Sequence, residues 1–182
     1  MYNLYVFCGK SGSGKTAVMD KLETKYNMAY PRSYTTRKPR NTRPPETNHV
    51  FVSEEVFNMI YDFVCLSDYN GSHYGTRKSQ VNKSDMMVLD VKGIKSLKEN
   101  YSDKPIKVIC IESPSSVRKQ RMEDRGDTEI QIHERINKDE EEFRGLSSLI
   151  DVKFTNDENT NIDELTEQIY SYIEECEKSI DE

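Results

Sequence analysis

The sequence predicts a three-layer α/β domain in which helices cover both faces of a mainly parallel sheet. Short apolar runs alternate with longer helical patterns along a chain of 182 residues, 35% of them hydrophobic, and strands that alternate with helices form parallel sheets. The first apolar run also leads directly into a glycine-rich turn that is followed by a helical pattern. A chain of this length builds one core, so we expect one domain over residues 1–182.

The individual elements follow from hydrophobic periodicity. Apolar runs typical of strands lie at residues 4–8, 49–52, 63–66, 86–90, 106–112 and 152–155. One helix is predicted over residues 16–26, after the glycine-rich turn, and another over residues 163–178. The apolar side chains of the second helix fall on one stripe, which indicates that it packs against the sheet.

The glycine-rich turn is a complete P-loop. Residues 9–16 have the sequence GKSGSGKT and match the pattern G-x-x-x-x-G-K-[ST] between a strand and a helix. The backbone N–H groups of such a turn converge on an anion at the positive end of the next helix, so the motif predicts an ATP site. Lys15 would reach the β and γ phosphates, and the Thr16 hydroxyl would ligate Mg²⁺. The predicted ATP-binding residues of the loop are Gly9, Ser11, Gly12, Ser13, Gly14, Lys15 and Thr16.

A magnesium–nucleotide site also needs a second carboxylate, usually at the end of a neighbouring strand. Asp90 follows the apolar residues 86–89 and is predicted to be this metal ligand, together with Thr16. The alternative is a structural role for Asp90, because aspartate between a strand and a helix is also a favoured helix N-cap.

The charge distribution excludes some classes of partner. The net charge of −6 argues against a general nucleic-acid-binding protein, which is usually basic. One segment is an exception, because residues 32–43 contain five cations and no acidic residue: Arg32, Arg37, Lys38, Arg40 and Arg43. Such a cluster in an acidic chain indicates a site for a small polyanion. Because no apolar stretch has membrane-spanning length and the four cysteines lie far apart, we expect a cytoplasmic protein without a membrane partner, disulfide framework or zinc site.

Two segments interrupt the α/β alternation. Residues 33–76 contain prolines and short β-like pieces, which predicts an inserted β-rich subdomain. Residues 115–145 are helical and strongly charged. They form either an exposed helical pair with many ion pairs or a mobile lid that brings arginines to the phosphates. The predicted core then comprises residues 1–32, 77–114 and 146–182.

Several short motifs follow one another along nearly the whole chain. After the P-loop come SYTTRKPR at residues 33–40, HVFVS at 49–53, YNGSHYGT at 69–76, VLD at 88–90, Arg121 with RG at 125–126, RI at 135–136 and ND at 156–157. In these motifs and their order the chain resembles the guanylate kinase family. The resemblance implies a P-loop kinase fold with an acceptor-binding subdomain and a helical lid. It also implies phosphoryl transfer from ATP to a nucleoside or deoxynucleoside monophosphate, with GMP or dGMP as the default acceptor.

The resemblance also implies roles for side chains outside the P-loop. The acceptor phosphate is expected to bind Ser33, Arg37, Arg40 and Tyr74, with His49 where the family has a tyrosine and Gly75 beside them. Asn156 is expected in the ATP site. Transfer between two anions needs cations and alignment rather than a general base. The predicted catalytic residues are therefore Lys15, Arg37, Arg40, Arg121, Arg125 and Arg135.

The positions that contact the base depart from the family pattern. Cys65 stands where the family usually has a glutamate that pairs with guanine, and a thiol cannot accept that pair of hydrogen bonds. The family's second base-contacting acid is also missing, because the loop after Asp90 is two residues shorter than usual. Thr76 and Asp68 are the remaining candidates for contact with the base.

Three functions remain open from the sequence. The first is a nucleoside monophosphate kinase for GMP or dGMP, or for a different or modified base. The second is a kinase of the same fold for a phosphorylated sugar, which would tolerate the changes at the base positions. The third is a non-catalytic module that binds phosphorylated peptides, although the intact Lys15 and Thr16 argue against it. The expected partner is a small-molecule acceptor, and the expected assembly is a monomer or homodimer.

Overall fold

The structure is a computed structural model that describes residues 1–39, 49–69 and 71–179. In chain order its strands are β1 (Leu4–Cys8), β2 (Ser33–Thr35), β3 (His49–Phe51), β4 (Phe63–Tyr69), β5 (Ser72–Arg77), β6 (Met86–Val88), β7 (Ile106–Glu112) and β8 (Val152–Thr155). Its helices are α1 (Lys15–Tyr26), α2 (Glu54–Asn58), α3 (Lys78–Asn82), α4 (Val91–Asn100), α5 (Ser115–Asp124), α6 (Glu129–Glu142) and α7 (Ile162–Lys178), with a 3₁₀ helix at Leu146–Leu149. None of the helices in the described ranges is long and apolar enough to cross a membrane.

The first sheet contains four parallel strands in the order β6–β1–β7–β8. Every side chain of β1 is buried, and successive side chains of a strand point to opposite faces. Leu4, Val6 and Cys8 accordingly pack in the same apolar cluster as residues of α4. Tyr5 and Phe7 pack on the other face with α1 and α7. The sheet therefore lies between two layers of helices, and the predicted α/β fold with a parallel sheet is confirmed.

The second sheet is built from strands that lie between residues 33 and 77, in the order β3–β2–β5–β4. β2 pairs in parallel with β3, and β5 pairs antiparallel with both β2 and β4. The edge strand β4 packs against α4, where the Leu66 N–H donates a hydrogen bond of 3.1 Å to Ser96 Oγ. Helix α4 thus contacts both sheets and joins them.

The two faces of the second sheet have different neighbours. Phe63 and His73 lie on the face covered by α2, where both rings pack near Phe57. Tyr74 follows His73 along β5 and therefore points to the opposite face, as does Thr76 two residues further on. We call this opposite face the Tyr74 face.

Several elements differ from the sequence prediction. β6 ends at Val88, so Asp90 lies beyond the strand and directly before α4. β2 and β5 were not predicted as strands, because they contain mostly polar residues and no apolar run. Pairing with neighbouring strands, which sequence periodicity does not report, determines their structure.

Candidate active site

The P-loop connects β1 to α1 and is closely packed. Gly12 and Gly14 have φ angles of 77° and 94°, in the left-handed region that favours glycine. A Cβ on Gly12 would lie 2.6 Å from the Arg118 carbonyl oxygen, and one on Gly14 would lie 2.2 Å from Asn156 Nδ2. The glycines therefore let the loop turn tightly while it contacts α5 and the residue that follows β8.

Lys15 is the first residue of α1 and folds back over the loop. Its Nζ donates hydrogen bonds to the carbonyl oxygens of Gly9, at 2.6 Å, and Lys10, at 3.1 Å. Burial lowers the pKa of Lys15 to about 8, and the negative charge of Asp139 opposes this shift. The neighbouring Thr16 side chain is exposed. Both residues lie at the N-terminal end of α1, where the helix favours an anion.

Two carboxylates of α6 contact the P-loop. Asp139 Oδ2 accepts a hydrogen bond from the Ser11 N–H at 2.7 Å, and its Oδ1 accepts one from the Ser11 hydroxyl at 3.3 Å. Glu140 Oε1 accepts a bond from Lys10 Nζ at 2.5 Å. Arg118 of α5 pairs with both carboxylates at 3.4 Å. These contacts tie the two lid-segment helices to the loop, and neither carboxylate was among the site residues predicted from the sequence.

Asn156 and Arg121 support the loop from beside β8. The buried Asn156 donates a hydrogen bond from Nδ2 to the Ser13 carbonyl oxygen at 2.9 Å. Arg121 of α5 donates to Asn156 Oδ1 at 3.0 Å and to the Gly12 carbonyl oxygen at 3.4 Å. Asn156, predicted in the ATP site, and Arg121, predicted as a catalytic lid residue, therefore both lie beside the P-loop, and Asn156 also holds the loop backbone.

The other two lid arginines that were predicted to be catalytic lie around one carboxylate. Arg125 Nε donates a hydrogen bond to Asp127 Oδ2 at 2.7 Å, and Arg135 Nε lies 3.9 Å from the same oxygen. Burial is the main cause of the lowered pKa of Lys15, and the positive charge of Arg125 adds to it. Asp127 thus holds two cations together next to the start of α6.

Several predicted acceptor-binding side chains meet on the Tyr74 face. Ser33 and His49 are partners in the β2–β3 ladder, and Ser33 Oγ lies 2.8 Å from His49 Nδ1. The centroids of the His49 and Tyr74 rings are 5.6 Å apart. The Arg37 guanidinium lies 5.4 Å from the centroid of Phe51, two residues after His49. Hydroxyl, imidazole and guanidinium groups are suitable donors to a phosphate. Arg40, the other predicted residue of this group, lies outside the described residues.

The predicted base positions lie next to one another. Cys65 pairs with Thr76 across β4 and β5, and both side chains are buried. The Cys65 thiol donates a hydrogen bond to the Gly93 carbonyl oxygen at 3.5 Å. Burial raises the pKa of this thiol to about 12, and the nearby negative charge of Asp90 adds to the shift. Asp90 is the N-cap of α4, with Oδ1 accepting the Gly93 N–H at 2.7 Å. The structure thus gives Asp90 the capping role, and places it beside Cys65.

Two further predicted residues lie on the α2 side of the second sheet. Asp68 pairs with His73, and its carboxylate is 2.5 Å from His73 Nδ1 at the surface. It therefore does not join Thr76 on the Tyr74 face, and the predicted base contact receives no support. Gly75 is required by packing, because a Cβ there would lie 2.7 Å from the Phe63 ring.

Comparison with known proteins identifies the family. A family model described as guanylate kinase matches residues 1–176. The chain belongs to the guanylate kinase family. A guanylate kinase of Porphyromonas gingivalis is 28% identical over 187 residues, which cover 95% of this chain and 99% of the relative. A guanylate kinase of Chlamydia muridarum is 28% identical over 180 residues, covering 92% of this chain and 86% of the relative. The crystal structure of guanylate kinase from Anaplasma phagocytophilum has the same fold, with a TM-score of 0.64 at 17% identity, and the match covers 95% of this chain and 85% of that one.

Guanylate kinases are ATP-dependent nucleoside monophosphate kinases that use Mg²⁺. The P-loop of this family member fits such an ion, because the exposed Thr16 hydroxyl is an oxygen donor at the start of α1. Mg²⁺ usually takes one or two protein oxygens and completes its shell with water and substrate phosphates. Within the described ranges, no three His, Cys, Asp or Glu side chains form a metal-binding group.

The guanylate kinase motifs did not reveal the contacts of α6 with the P-loop, but the sequence contained one sign of them. Ile132, Ile136, Asp139 and Phe143 follow the spacing i, i+4, i+7 and i+11 of a single helix face. A carboxylate within an apolar stripe indicates a buried partner, because an unpaired buried charge is costly. Its partner Arg118 lies on a different helix, so the sequence did not identify the pair.

Proposed function

We propose that this chain transfers the γ-phosphoryl group of ATP to GMP or dGMP, forming ADP and the corresponding diphosphate. The observation that carries the proposal is a pair of anion-binding clusters, one on each sheet. Lys15 and the P-loop follow β1 of the first sheet, whereas Ser33, His49 and Tyr74 meet on the second. A kinase that joins two anionic substrates needs both, because transfer depends on positioning and neutralisation of charge.

The P-loop is the proposed donor site. Its backbone N–H groups and the N-terminus of α1 would bind the β and γ phosphates, and the Thr16 hydroxyl would contact Mg²⁺, which neutralises phosphate charge when bound. Lys15 would exchange the Gly9 and Lys10 carbonyl oxygens for phosphate oxygens. The phosphate environment favours its protonated form, which burial disfavours in the free protein.

The lid arginines are proposed to stabilise charge during transfer. Arg121 is already anchored at the Gly12 carbonyl oxygen and Asn156, which supports a role close to the donor phosphates. Arg125 and Arg135 share Asp127 and would exchange this carboxylate for phosphate oxygens when the substrates bind. Such preorganised cations lower the barrier without covalent chemistry by the protein.

The acceptor phosphate is proposed to bind on the Tyr74 face. Ser33, His49 and Tyr74 supply hydrogen-bond donors there, and Arg37 supplies a planar cation. Guanidinium groups bind phosphate through two parallel hydrogen bonds, which also orient it. Arg40 completes this proposed set.

The guanine base is proposed to contact Thr76 and Asp90. Thr76 is the cross-strand partner of Cys65, and Asp90 is close enough to raise the pKa of the Cys65 thiol. This proximity supports a role for Asp90 in binding the base of the acceptor nucleotide, in addition to capping α4. It supports this role better than a role in binding Mg²⁺. Cys65 itself bonds to the Gly93 carbonyl oxygen and offers no carboxylate to the base.

A coupled assay of ADP release with ATP and Mg²⁺ tests the proposed function. GMP, dGMP, AMP, dTMP and dUMP are compared as acceptors under identical conditions, and products are identified by chromatography. The proposal predicts formation of GDP and dGDP with one ADP each, and the greatest kcat/KM for GMP or dGMP. Activity confined to another base, or to a phosphorylated sugar, would overturn the assignment of the acceptor.

We also propose that residues 33–76 act as the acceptor-binding subdomain and residues 115–145 as the lid, around a core of residues 1–32, 77–114 and 146–182. The sheet boundaries and the position of α5 and α6 support this division. The proposed oligomeric state is a monomer or a homodimer, and the proposed location is the cytoplasm.

A further inference from the structure

A buried ion pair links the two helices of the lid segment. Arg118 of α5 is 2% exposed and Asp139 of α6 is 5% exposed, with Arg118 Nη1 and Asp139 Oδ2 3.4 Å apart. Burying two charges is costly, and apolar residues of similar volume often stabilise a core better. Stabilisation of the fold is therefore a weak explanation for the presence of this buried ion pair.

The shortest contact of Asp139 is with the P-loop and not with its counter-ion. The Ser11 N–H lies 2.7 Å from Asp139 Oδ2, and the Ser11 hydroxyl lies 3.3 Å from Oδ1. Charge-assisted bonds near 2.7–2.9 Å are the strong ones, so the 3.4 Å contact with Arg118 is the weaker of the two. Asp139 thus holds the loop with one carboxylate oxygen on the backbone and the other on the side chain of Ser11.

The pair contacts the loop at a second point. The backbone of Arg118 is so close to Gly12 that a Cβ there would lie 2.6 Å from the Arg118 carbonyl oxygen. The Arg118 side chain forms an ion pair with Asp139, and Asp139 accepts a hydrogen bond from the Ser11 N–H. Two consecutive loop residues, Ser11 and Gly12, are therefore fixed by a closed chain of contacts through α5 and α6.

The burial of Asp139 indicates that this residue supports the loop and does not occupy the phosphate site. Its side chain is only 7% exposed and is paired with a cation, whereas a group that mimicked a phosphate would lie open to the nucleotide. Its negative charge also acts on Lys15, where it favours the protonated side chain. The burial of Asp139 leaves the phosphate site open, and the protonated form of Lys15 is the one that binds phosphate.

We propose that Asp139 is a positioning residue for ATP, which acts through Ser11 and holds the P-loop in the shape that binds the donor phosphates. Arg118 neutralises Asp139 so that this carboxylate does not repel the nucleotide. The inference rests on the proposed ATP site but not on the identity of the acceptor.

The test compares the wild type with four variants by calorimetric ATP binding with Mg²⁺, by KM values for both substrates, and by thermal unfolding. Asp139→Ala removes the contact with Ser11. Asp139→Asn retains an oxygen that can accept the Ser11 N–H. Arg118→Met combined with Asp139→Leu removes both charges and refills the volume. Glu134→Ala, an exposed carboxylate of the same helix, is the matched control.

The proposal predicts that Asp139→Ala raises the Kd and KM for ATP at least tenfold and changes the KM for the acceptor less than threefold. Asp139→Asn should lie between it and the wild type, and Glu134→Ala should match the wild type. The double variant should regain the wild-type melting temperature without regaining ATP affinity. A double variant that regains both, or an Asp139→Ala protein with unchanged ATP affinity, would show that the pair is structural. ATP binding without phosphorylation of GMP would count against the proposed function and leave this inference standing, whereas a wild-type protein that binds no ATP would overturn both.

Discussion

Replacement of Arg37 by alanine is expected to weaken use of the acceptor and to leave ATP binding nearly unchanged. Arg37 lies over Phe51 near the Ser33–His49 pair on the second sheet, whereas the P-loop belongs to the first sheet. The variant removes the guanidinium from one proposed anion site and changes no residue of the other.

The magnitude follows from the bonds exchanged on binding. In the free protein Arg37 Nη1 already donates to the Lys38 carbonyl oxygen at 2.9 Å, so part of the phosphate contact replaces an existing bond. Hydrogen bonds to charged groups contribute about 1.5–3 kcal/mol each. Because the phosphate contact replaces bonds that Arg37 already makes, the net loss should equal about one such bond, roughly 2–3 kcal/mol or 30- to 150-fold in kcat/KM for the acceptor.

The assay is steady-state kinetics with varied GMP at saturating ATP, combined with calorimetric ATP titration. Arg32→Ala is the matched control, because it removes the same charge from an exposed position of the same basic segment. Arg37→Lys should restore only part of the loss, since an ammonium group lacks the two-pronged geometry. Equal losses for ATP and GMP, or an equal effect of Arg32→Ala, would refute the assignment of Arg37 to a separate acceptor site.

Three other outcomes are expected. ATP affinity should fall as the pH rises above about 8, because Lys15 has a lowered pKa in the free protein and phosphate binds its protonated form. Calorimetric titration near pH 9 in buffers of different ionisation enthalpy should show that ATP binding takes up roughly one proton. Lys15→Arg should abolish this proton uptake. Selectivity for GMP over other monophosphates should stay below about a thousandfold, roughly 4 kcal/mol, because Cys65 supplies no carboxylate, and Cys65→Glu should increase this selectivity. A larger wild-type selectivity would show that other groups replace the missing glutamate. Asp90→Asn should reduce selectivity for guanine more than it changes the Mg²⁺ dependence of the rate, whereas the reverse pattern would assign Asp90 to the metal.

The sequence predicted the parts of the fold that depend on neighbouring residues. The P-loop was predictable because its strand, turn and helix are continuous, and the glycines needed at φ angles of 77° and 94° are part of the motif. The parallel sheet followed from apolar runs such as Leu4–Cys8, all of whose side chains are buried. The short polar strands Ser33–Thr35 and Ser72–Arg77 were missed, because their structure depends on cross-strand partners.

Other features of the site were not evident from the sequence, for identifiable physical reasons. Asp90 follows an apolar run in the sequence, but β6 ends two residues earlier and the carboxylate caps α4. Asp68 was a candidate for the base because it lies close to Cys65 in sequence. Asp68 is three residues after Cys65, so the alternation of side chains along β4 places it on the opposite face of the sheet. This spacing was already visible in the sequence. The contact of Asp139 with Ser11 joins residues 128 positions apart, and no local pattern reports such a pair.

The central claim is that the P-loop of this chain drives phosphoryl transfer from ATP to a guanine nucleotide, and the most direct measurement is GDP formation by the wild type and by Lys15→Ala. Thermal unfolding of both proteins serves as the control for folding. We expect one GDP per ADP for the wild type and a loss of more than a hundredfold in kcat/KM for the variant, about 2.7 kcal/mol of transition-state stabilisation. A wild-type protein that forms no GDP, or a folded Lys15→Ala protein within tenfold of the wild type, would contradict it.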